Sequence, residues 1–154
     1  MTDKIDKLIQ NFGIIKDCEN HISQCKCKCC NFDKNYIVLY PGEFEATKQK
    51  KNHIKIIDDN YFGGKKAICV RTCKEDEFKP LDCRSYPFFP KINTKGGIEI
   101  IKGLKCPLKK KELTVHKKNF NKIWKLLIKN KDISDWIKKI ELIDYKLYEK
   151  RDNK

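Results

Sequence analysis

Cysteine constrains this sequence more than any other residue type. The chain has nine cysteines among 154 residues, and four of them lie within the six residues 25–30. This share of cysteine is below the roughly 8–10% that is typical of small scaffolds held together by disulfides. A chain of about 150 residues can also bury a hydrophobic core without such cross-links. We therefore interpret the cysteines as ligands rather than as disulfide partners if the protein resides in a reducing compartment.

The sequence has no feature of a secreted or membrane protein. No stretch approaches the roughly 20 consecutive apolar residues of a membrane span. Asp3 and Asp6 interrupt the N-terminal segment where a signal peptide needs an apolar core. We expect a cytoplasmic protein, in which thiolates bind zinc, copper(I) or iron–sulfur clusters. The length predicts one domain over residues 1–154, with a metal-binding core at 20–108 and a helical pair at 110–148.

Lysine dominates the charge of the chain. The formal net charge is +14, and only three of the 35 basic residues are arginines, at 71, 84 and 151. Proteins that read nucleic acids usually use arginine for bidentate contacts with phosphate and guanine. The excess is largest from residue 105 onward, where the net charge is +9 against +5 before it. An acidic protein or a nucleic acid is therefore the partner that this charge would fit, with no membrane involved.

The residues before 108 are patterned as short strands and loops. β-branched and aromatic runs predict five strands, at 36–40, 54–57, 65–70, 88–92 and 98–101. The second and third are separated by a turn signal at 60–64, and the last two form a hairpin with a glycine-containing loop of five residues. Pro41 is expected at the first position of a short helix.

Two amphipathic helices are predicted at the C-terminal end. Apolar residues recur at three- and four-residue spacing from Leu113 to Leu127 and again from Trp136 to Leu147. Asp132 or Ser134 is expected to cap the second helix. The predicted fold class is therefore α+β, a small irregular Cys-rich domain organised by a metal, with short strands and two C-terminal amphipathic helices.

Eight of the nine cysteines form the predicted metal site. They comprise a dense loop, a pair separated by three residues and two single residues: Cys25, Cys27, Cys29, Cys30, Cys69, Cys73, Cys83 and Cys106. Thiolates from four segments of the chain would also cross-link loops that have few apolar contacts. Eight thiolates satisfy two zinc ions, a four-iron cluster with spare ligands, or a polynuclear site with bridging sulfurs, and spacing does not choose among these. Cys18 lies outside the pattern and is the one spare thiol.

These motifs resemble a known family. A cysteine loop that ends in Cys29-Cys30, the segments LYPGEFE, CVRTC and DCRSYPFFP, and a final GLKCP together resemble the YkgJ-type cysteine-cluster proteins between Cys25 and Cys106. The family's first cysteines are usually two or three residues apart, whereas here they alternate with lysine, so the first-ligand role stays open between Cys25 and Cys27. The resemblance implies a zinc- or iron-chelating domain. We accordingly expect a protein that holds zinc or an iron–sulfur cluster, with a structural, carrier or redox role.

The resemblance also implies an enzymatic alternative. A flagellin lysine methylase that uses S-adenosylmethionine carries a related domain, which implies methylation of a protein lysine. The seven glycines never form a Gly-x-Gly-x-x-Gly turn. Neither Cys25-x3-Cys29 nor Cys69-x3-Cys73 is followed by the third cysteine that a radical S-adenosylmethionine motif requires. A Lys-rich zinc protein that binds nucleic acid is the third hypothesis.

Three further side chains are candidates for supporting the cysteines. Arg84 would offset thiolate charge, although an ion pair with Asp82 or Glu75 is the simpler interpretation. Glu43 is a candidate oxygen ligand or an orienting carboxylate, and a first-turn contact with the helix dipole is the alternative. Tyr86 would pack against the cluster and donate its hydroxyl to sulfur. The histidines lack ligand spacing and are expected in the core or on the surface: His21, His53 and His116.

Overall fold

The computed structural model describes most of the chain after residue 35. The described residues are 7–9, 12, 36–71, 74, 76–104, 106, 108–142 and 145–148. Within these ranges, two three-stranded antiparallel sheets combine with short and long helices. This arrangement confirms the predicted α+β class. No helix in the same ranges is both long and apolar enough to cross a membrane.

The first sheet confirms three of the predicted strands. It consists of β1 (Ile37–Leu39), β2 (Ile54–Tyr61) and β3 (Gly64–Cys69) in the order β1–β3–β2. Phe62 and Gly63 join β2 to β3, and both have positive φ, 54° and 95°. Positive φ at two central residues is the type I′ geometry that matches the twist of a tight hairpin. Strand β3 therefore lies in the centre of the sheet, and Cys69 is its last residue.

A short helix follows β1, but it starts later than predicted. Helix α1 (Glu43–Ala46) begins after Gly42, which has φ of 87°. A helix cannot run through a left-handed residue, so Pro41 lies outside α1 and its predicted place at the first helical position is wrong.

The second sheet contains the predicted hairpin and one strand that was not predicted. Strands β4 (Phe88–Ile92), β5 (Ile98–Gly103) and β6 (Tyr145–Leu147) are antiparallel in the order β4–β5–β6. Asn93 closes the five-residue hairpin loop, because its side-chain oxygen accepts the N–H groups of Lys95 at 3.0 Å and Gly97 at 2.9 Å. Such self-bonding is why asparagine favours turns.

Three further helices lie in the second half of the described chain. Helix α2 (Leu81–Ser85) is short, whereas α3 (Thr114–Leu127) and α4 (Lys131–Lys139) are the two predicted amphipathic helices. A 3₁₀ turn over Lys110–Leu113 leads into α3. The apolar faces of α3 and α4 are buried, and they consist of His116, Phe120, Ile123, Trp124, Leu127, Ile133, Trp136 and Ile137.

Helix α4 has a different cap from the predicted one. The side-chain oxygen of Asn130 accepts the N–H of Asp132 at 2.9 Å and that of Ile133 at 3.3 Å. Asn130 is extended and precedes the first helical residue, so it occupies the N-cap position. The predicted caps, Asp132 and Ser134, are wrong because both already lie within the helix.

Helix α4 also ends earlier than predicted. Ile140 is extended, and the chain then returns to form β6 instead of continuing as a helix to Leu147. In β6, Leu147 pairs with Ile101 of β5. The apolar spacing of residues 140–147 fits a helix, but a short run of this kind cannot be distinguished from a strand by spacing alone. Pairing with the edge of β5 satisfies the backbone of this segment.

The buried residues form two clusters, which β1 separates. Val38 belongs to the main cluster, whereas Ile37 and Leu39 belong to a second group, as expected for a strand whose side chains alternate between faces. Helices α3 and α4 pack into the main cluster, where Phe89 lies 5.7 Å from Trp124 and 6.1 Å from Trp136 between ring centroids. The second group, called the small cluster below, consists of Ile37, Leu39, Ile54, Ala67 and Phe78.

Candidate metal centre

Three of the eight predicted ligands lie in the described residues. Cys69 ends β3, Cys83 is in the middle of α2, and Cys106 follows β5, and all three are partly buried. Cys69 and Cys83 both pack against the small cluster, whereas Cys106 packs against the main cluster. The fold thus brings two of the three to one hydrophobic group from different elements.

The remaining predicted ligands cannot be placed. Cys25, Cys27, Cys29, Cys30 and Cys73 lie outside the described residues, as do Cys18 and His21. Among the described side chains, no group of three cysteine, histidine, aspartate or glutamate residues is arranged to hold a metal ion. A complete site would therefore need thiolates from the segments that are not described.

Two buried carboxyl groups fix helix α2, which carries Cys83. One oxygen of Glu43 accepts the N–H of Leu81 at 2.8 Å, and the other accepts the N–H of Tyr40 at 3.2 Å. Asp82 accepts the N–H of Val38 at 2.9 Å, which ties α2 directly to β1. Glu43 was considered as a ligand, as an orienting carboxylate or as a partner of the helix dipole. In the structure, both of its oxygens bind backbone N–H groups, one of them in α2.

Burial controls the protonation of this pair. Removal from water raises the pKa of Glu43 to about 8, although its hydrogen bonds to Leu81 and Tyr40 oppose the shift. Burial likewise raises the pKa of Asp82 to about 6, against the effect of the bond from Val38. Each group is a stronger proton acceptor in the folded protein than in the unfolded chain.

Arg84 lies near the C-terminal end of α2 and donates hydrogen bonds to two backbone carbonyls outside this helix. Its Nε donates to the carbonyl of Lys79 at 3.0 Å, and its Nη1 donates to the carbonyl of Phe12 at 3.2 Å. The guanidinium therefore connects α2 with the N-terminal part of the chain, one residue after Cys83. Its positive charge also opposes the rise that burial causes in the pKa of Glu43. The predicted role of Arg84 in offsetting thiolate charge stays a prediction.

Tyr86 ends α2 and packs against β5 and β6. Its N–H donates to the carbonyl of Asp82 at 3.0 Å, and its ring meets that of Tyr145 edge to face at 6.3 Å. A Cβ atom on Gly103 would lie 2.7 Å from the Tyr86 hydroxyl oxygen, so only glycine leaves room for this ring. Tyr86 therefore lies where β5 pairs with the C-terminal strand β6.

Two tyrosines near Cys83 were not identified from the sequence. Burial is the main cause of the raised pKa of Tyr145, with contributions from the nearby Asp82, Tyr86, Cys83 and Tyr36. The pKa of Tyr36 is raised as well, first by burial, then by Tyr61 and Asp82. Its position six residues after Cys30 is a signal that could have identified Tyr36. Tyr145 carried no such signal, because it is distant in sequence from every cysteine and lies in a segment that was predicted to be helical.

A second cluster of polar groups lies beyond Cys69. The guanidinium of Arg71 donates two hydrogen bonds to the carboxylate of Glu77, at 2.7 and 2.6 Å, and the N–H of Lys74 donates a third at 2.7 Å. Glu77 is only 4% exposed. Hydrogen bonding from Arg71 and then from Lys74 lowers the pKa of Glu77 to about 2. Sequence reasoning missed Glu77.

The two described histidines lie in the core, one of the two locations expected for them. His53 is fully buried, and its Nε2 lies 2.8 Å from the carbonyl oxygen of Phe78. Its Nδ1 is the one buried side-chain nitrogen or oxygen of the described residues without a hydrogen-bond partner. His116 lies 2.8 Å from the carbonyl of Ser85, and burial lowers its pKa. Neither histidine belongs to a described metal-binding group.

Cations lie close to two of the three described cysteines. Arg84 adjoins Cys83, and Lys102 donates to the carbonyl of Cys106 at 2.9 Å. Cationic neighbours lower thiol pKa values and offset the negative charge of a multi-thiolate site.

Comparison with known proteins identifies no relative of this chain. No family model matches the sequence, and no match was found among curated proteins or solved structures. The resemblance to the YkgJ-type family therefore depends on the motifs alone.

Proposed function

We propose that this protein binds zinc or an iron–sulfur cluster through its clustered cysteine thiolates and serves a structural, carrier or redox role. The observation that carries the proposal is the position of Cys69 and Cys83. They come from a strand and a helix, yet both pack against the small cluster. Ligands that converge from separate elements are the requirement for a metal site.

Chain connectivity supports the participation of the dense cysteine loop. Tyr36 lies near Asp82, one residue from Cys83, and it is only the sixth residue after Cys30. Six residues span at most about 20 Å when fully extended. The loop is therefore tethered within reach of Cys83, and Cys73 is similarly tethered four residues after Cys69.

The surroundings of Cys83 support a negatively charged centre. Arg84 supplies a positive charge, and the partly buried rings of Tyr86 and Tyr145 lie close to the helix. Hydrogen bonds to sulfur and partial exclusion of water tune both metal affinity and reduction potential. When bound, zinc would cross-link the loops, whereas an iron–sulfur cluster would add electron transfer.

Elemental analysis and an absorption spectrum of protein purified without oxygen test this proposal. Zinc at one or two per chain without visible absorption would favour a structural site, and iron with acid-labile sulfide would favour a cluster. Cys83→Ser and Cys69→Ser should lose metal, whereas the matched control Cys18→Ser should retain it. The absence of both zinc and iron, together with nine freely reactive thiols, would contradict the proposal. Stabilisation by S-adenosylmethionine would instead favour the methylase alternative.

Binding of a polyanion is a second candidate function, favoured by one face of α3 and the residues that follow it. Lys118, Lys122, Lys125 and Lys129 recur at spacings of four and three residues, so they lie on one face, and all four are exposed. None of these lysines forms an ion pair within the described part of the chain. No acidic residue occurs between Glu112 and Asp132. We call this face the lysine stripe.

Salt-dependent binding to a short DNA duplex of random sequence tests the lysine stripe. Four Lys→Gln substitutions in the stripe should reduce the salt dependence of binding by about three to four units of slope if each lysine contacts one phosphate. The matched control neutralises four other exposed lysines: Lys48, Lys55, Lys91 and Lys95. Equal reductions of the salt dependence in both quadruple variants would indicate attraction by net charge. That result would contradict binding at the lysine stripe. Competition by polyglutamate but not by DNA would indicate an acidic protein.

A further inference from the structure

The hairpin that joins β2 to β3 carries an exposed aromatic ring on a strained backbone. Phe62 is 55% exposed and has φ of 54°. Glycine and asparagine adopt positive φ readily in such turns, whereas for a bulky side chain this conformation is an outlier. Strained residues of this kind cluster at functional sites, and Phe62 combines the strain with an apolar ring that faces solvent.

The backbone on both sides of this ring is fixed. The indole Nε1 of Trp136 donates to the carbonyl of Tyr61 at 3.1 Å, and the Tyr61 hydroxyl donates to the carbonyl of Glu141 at 3.3 Å. Within the turn, the side-chain oxygen of Asn60 accepts the N–H of Gly63 at 3.0 Å. A loop that is already held in one conformation loses little entropy when it binds a partner.

The end of this hairpin is acidic, although the chain as a whole is strongly basic. Asp58 and Asp59 are the only charged residues between Lys55 and Lys65. Lys65 pairs with Asp59, whereas Asp58 and the exposed Glu141 form no ion pair within the described part of the chain. An exposed ring beside unpaired carboxylates fits a partner surface that has an apolar pocket and positive charge.

A pocket of this character lies beside α3. Among the described residues it is lined by Leu8, Phe12, Asn119, Lys122 and Ile123, and its volume is about 140 Å³. Phe12 and Ile123 are buried and form apolar walls, whereas Lys122 is exposed and belongs to the lysine stripe. A cavity of roughly 150 Å³ lined by apolar side chains accommodates a benzene ring. The pocket therefore has room for a phenyl group, and its rim is positively charged.

We infer that Phe62 of one copy of the chain binds in this pocket of a second copy. The exposed ring of Phe62 does not fill the pocket of its own chain. The acidic end of the hairpin and the lysine stripe are complementary in charge, and one chain carries both. Because the two surfaces differ, the contact is head to tail, and each pair keeps one free ring and one free pocket for further copies. Such association does not depend on the metal site.

Sedimentation of the full chain under reducing conditions tests this contact. The mass of the wild type should rise with protein concentration, and the rise should weaken at high salt. Phe62→Asn removes the ring, and asparagine tolerates positive φ, so the variant should keep at least the wild-type stability to urea. Its dissociation constant should increase at least roughly tenfold. Val70→Asn is the control, because Val70 is also 55% exposed and follows the far end of β3.

Charge reversal at the rim of the pocket is the second test. Lys122→Glu places a carboxylate there and should weaken association. Lys129→Glu changes the net charge equally at the end of the lysine stripe, outside the lining of the pocket, and should have a smaller effect. Equal weakening by both variants would indicate attraction by net charge and overturn docking in the pocket.

A mixture of two variants tests the head-to-tail geometry. Phe62→Asn keeps an intact pocket and Lys122→Glu keeps an intact ring, so an equimolar mixture should form pairs with one chain of each kind and nothing larger. Failure of the mixture to form pairs would overturn the inference. A wild type that stays monomeric at millimolar concentration, or association that Phe62→Asn leaves unchanged, would overturn it as well.

Discussion

The carboxyl group of Glu43 accepts a hydrogen bond from the backbone N–H of Leu81 at 2.8 Å, across 38 residues of sequence. The first N–H groups of a helix have no partner within the helix, and a polar N-cap side chain usually supplies one. Here the N-cap residue of α2 is Pro80, which has no side-chain acceptor. A remote glutamate replaces the local cap, and the helix that carries Cys83 consequently depends on α1.

Replacing this carboxylate should destabilise the protein more than a surface change on the same helix. Glu43→Gln keeps one acceptor oxygen but turns an NH₂ group toward a backbone N–H, so one buried donor loses its partner. We expect unfolding in urea to become easier by about 1–3 kcal/mol. Glu45→Gln is the control, because Glu45 is 61% exposed and pairs with Lys65 at 3.3 Å. A similar small change in both variants would show that the bonds of Glu43 to Leu81 and Tyr40 contribute little.

Asp82 should make stability depend on pH in mildly acidic solution. Burial raises its pKa from 3.8 to about 6, so the folded state retains a proton that the unfolded chain releases. Its contribution to the free energy of unfolding is therefore complete below pH 3.8 and declines as the pH rises toward about 6. Asp82→Asn keeps an acceptor for the Val38 N–H but cannot titrate. Urea unfolding of metal-free protein should show this decline in the wild type relative to Asp82→Asn, and parallel curves would contradict the raised pKa.

Glu77 should have the opposite effect at lower pH. Its pKa is lowered from 4.5 to about 2, chiefly by Arg71, so its stabilising contribution is complete above 4.5 and is lost as the pH falls toward 2. The difference in unfolding free energy between the wild type and Glu77→Gln should therefore shrink over this interval. Thermal or urea unfolding of both proteins at several pH values measures it. A difference that stays constant down to pH 2 would mean that the pair with Arg71 is not ionic.

Local patterns predicted most of the described elements. The strands β1 to β5 and the helices α3 and α4 follow from β-branched runs and from three- and four-residue spacing, which depend on near neighbours. Strand β6 was missed because its residues gain their partners only when β5 is already in place. Gly42 shifted the start of α1 through a backbone conformation that composition does not reveal.

The candidate site was predictable as a set of residue types but not as a geometry. Cysteine spacing identified the segments around Cys69 and Cys83, and Arg84 was expected to support the cysteines. Glu77 and Tyr145 acquire their positions from contacts that carry no sequence signal, since glutamate is common on surfaces and Tyr145 meets Tyr86 across 59 residues. Physical coupling between distant segments therefore accounts for the residues that sequence reasoning missed.

Gly103 should be essential for the place of Tyr86 beside Tyr145. A methyl group at Gly103 would lie within 2.9 Å of three atoms of the Tyr86 side chain, which is closer than such atoms can approach. We expect Gly103→Ala to lower the free energy of unfolding by about 1–3 kcal/mol, because the ring must leave its position or the strand must shift. Gly97→Ala is the control, since its new methyl would meet only the partly exposed side chain of the loop residue Asn93, at 3.3 Å.

A double-mutant cycle identifies the ring as the cause. Tyr86→Leu removes the atoms that Gly103→Ala would contact, so alanine at position 103 should cost less in the Tyr86→Leu background than in the wild type. Residues in direct contact typically show coupling of about 0.5–3 kcal/mol in such cycles. Additive effects would contradict the close approach of Gly103 and Tyr86. The Co²⁺ affinity of Gly103→Ala, compared with that of the wild type, shows whether the Tyr86 ring supports the helix that carries Cys83.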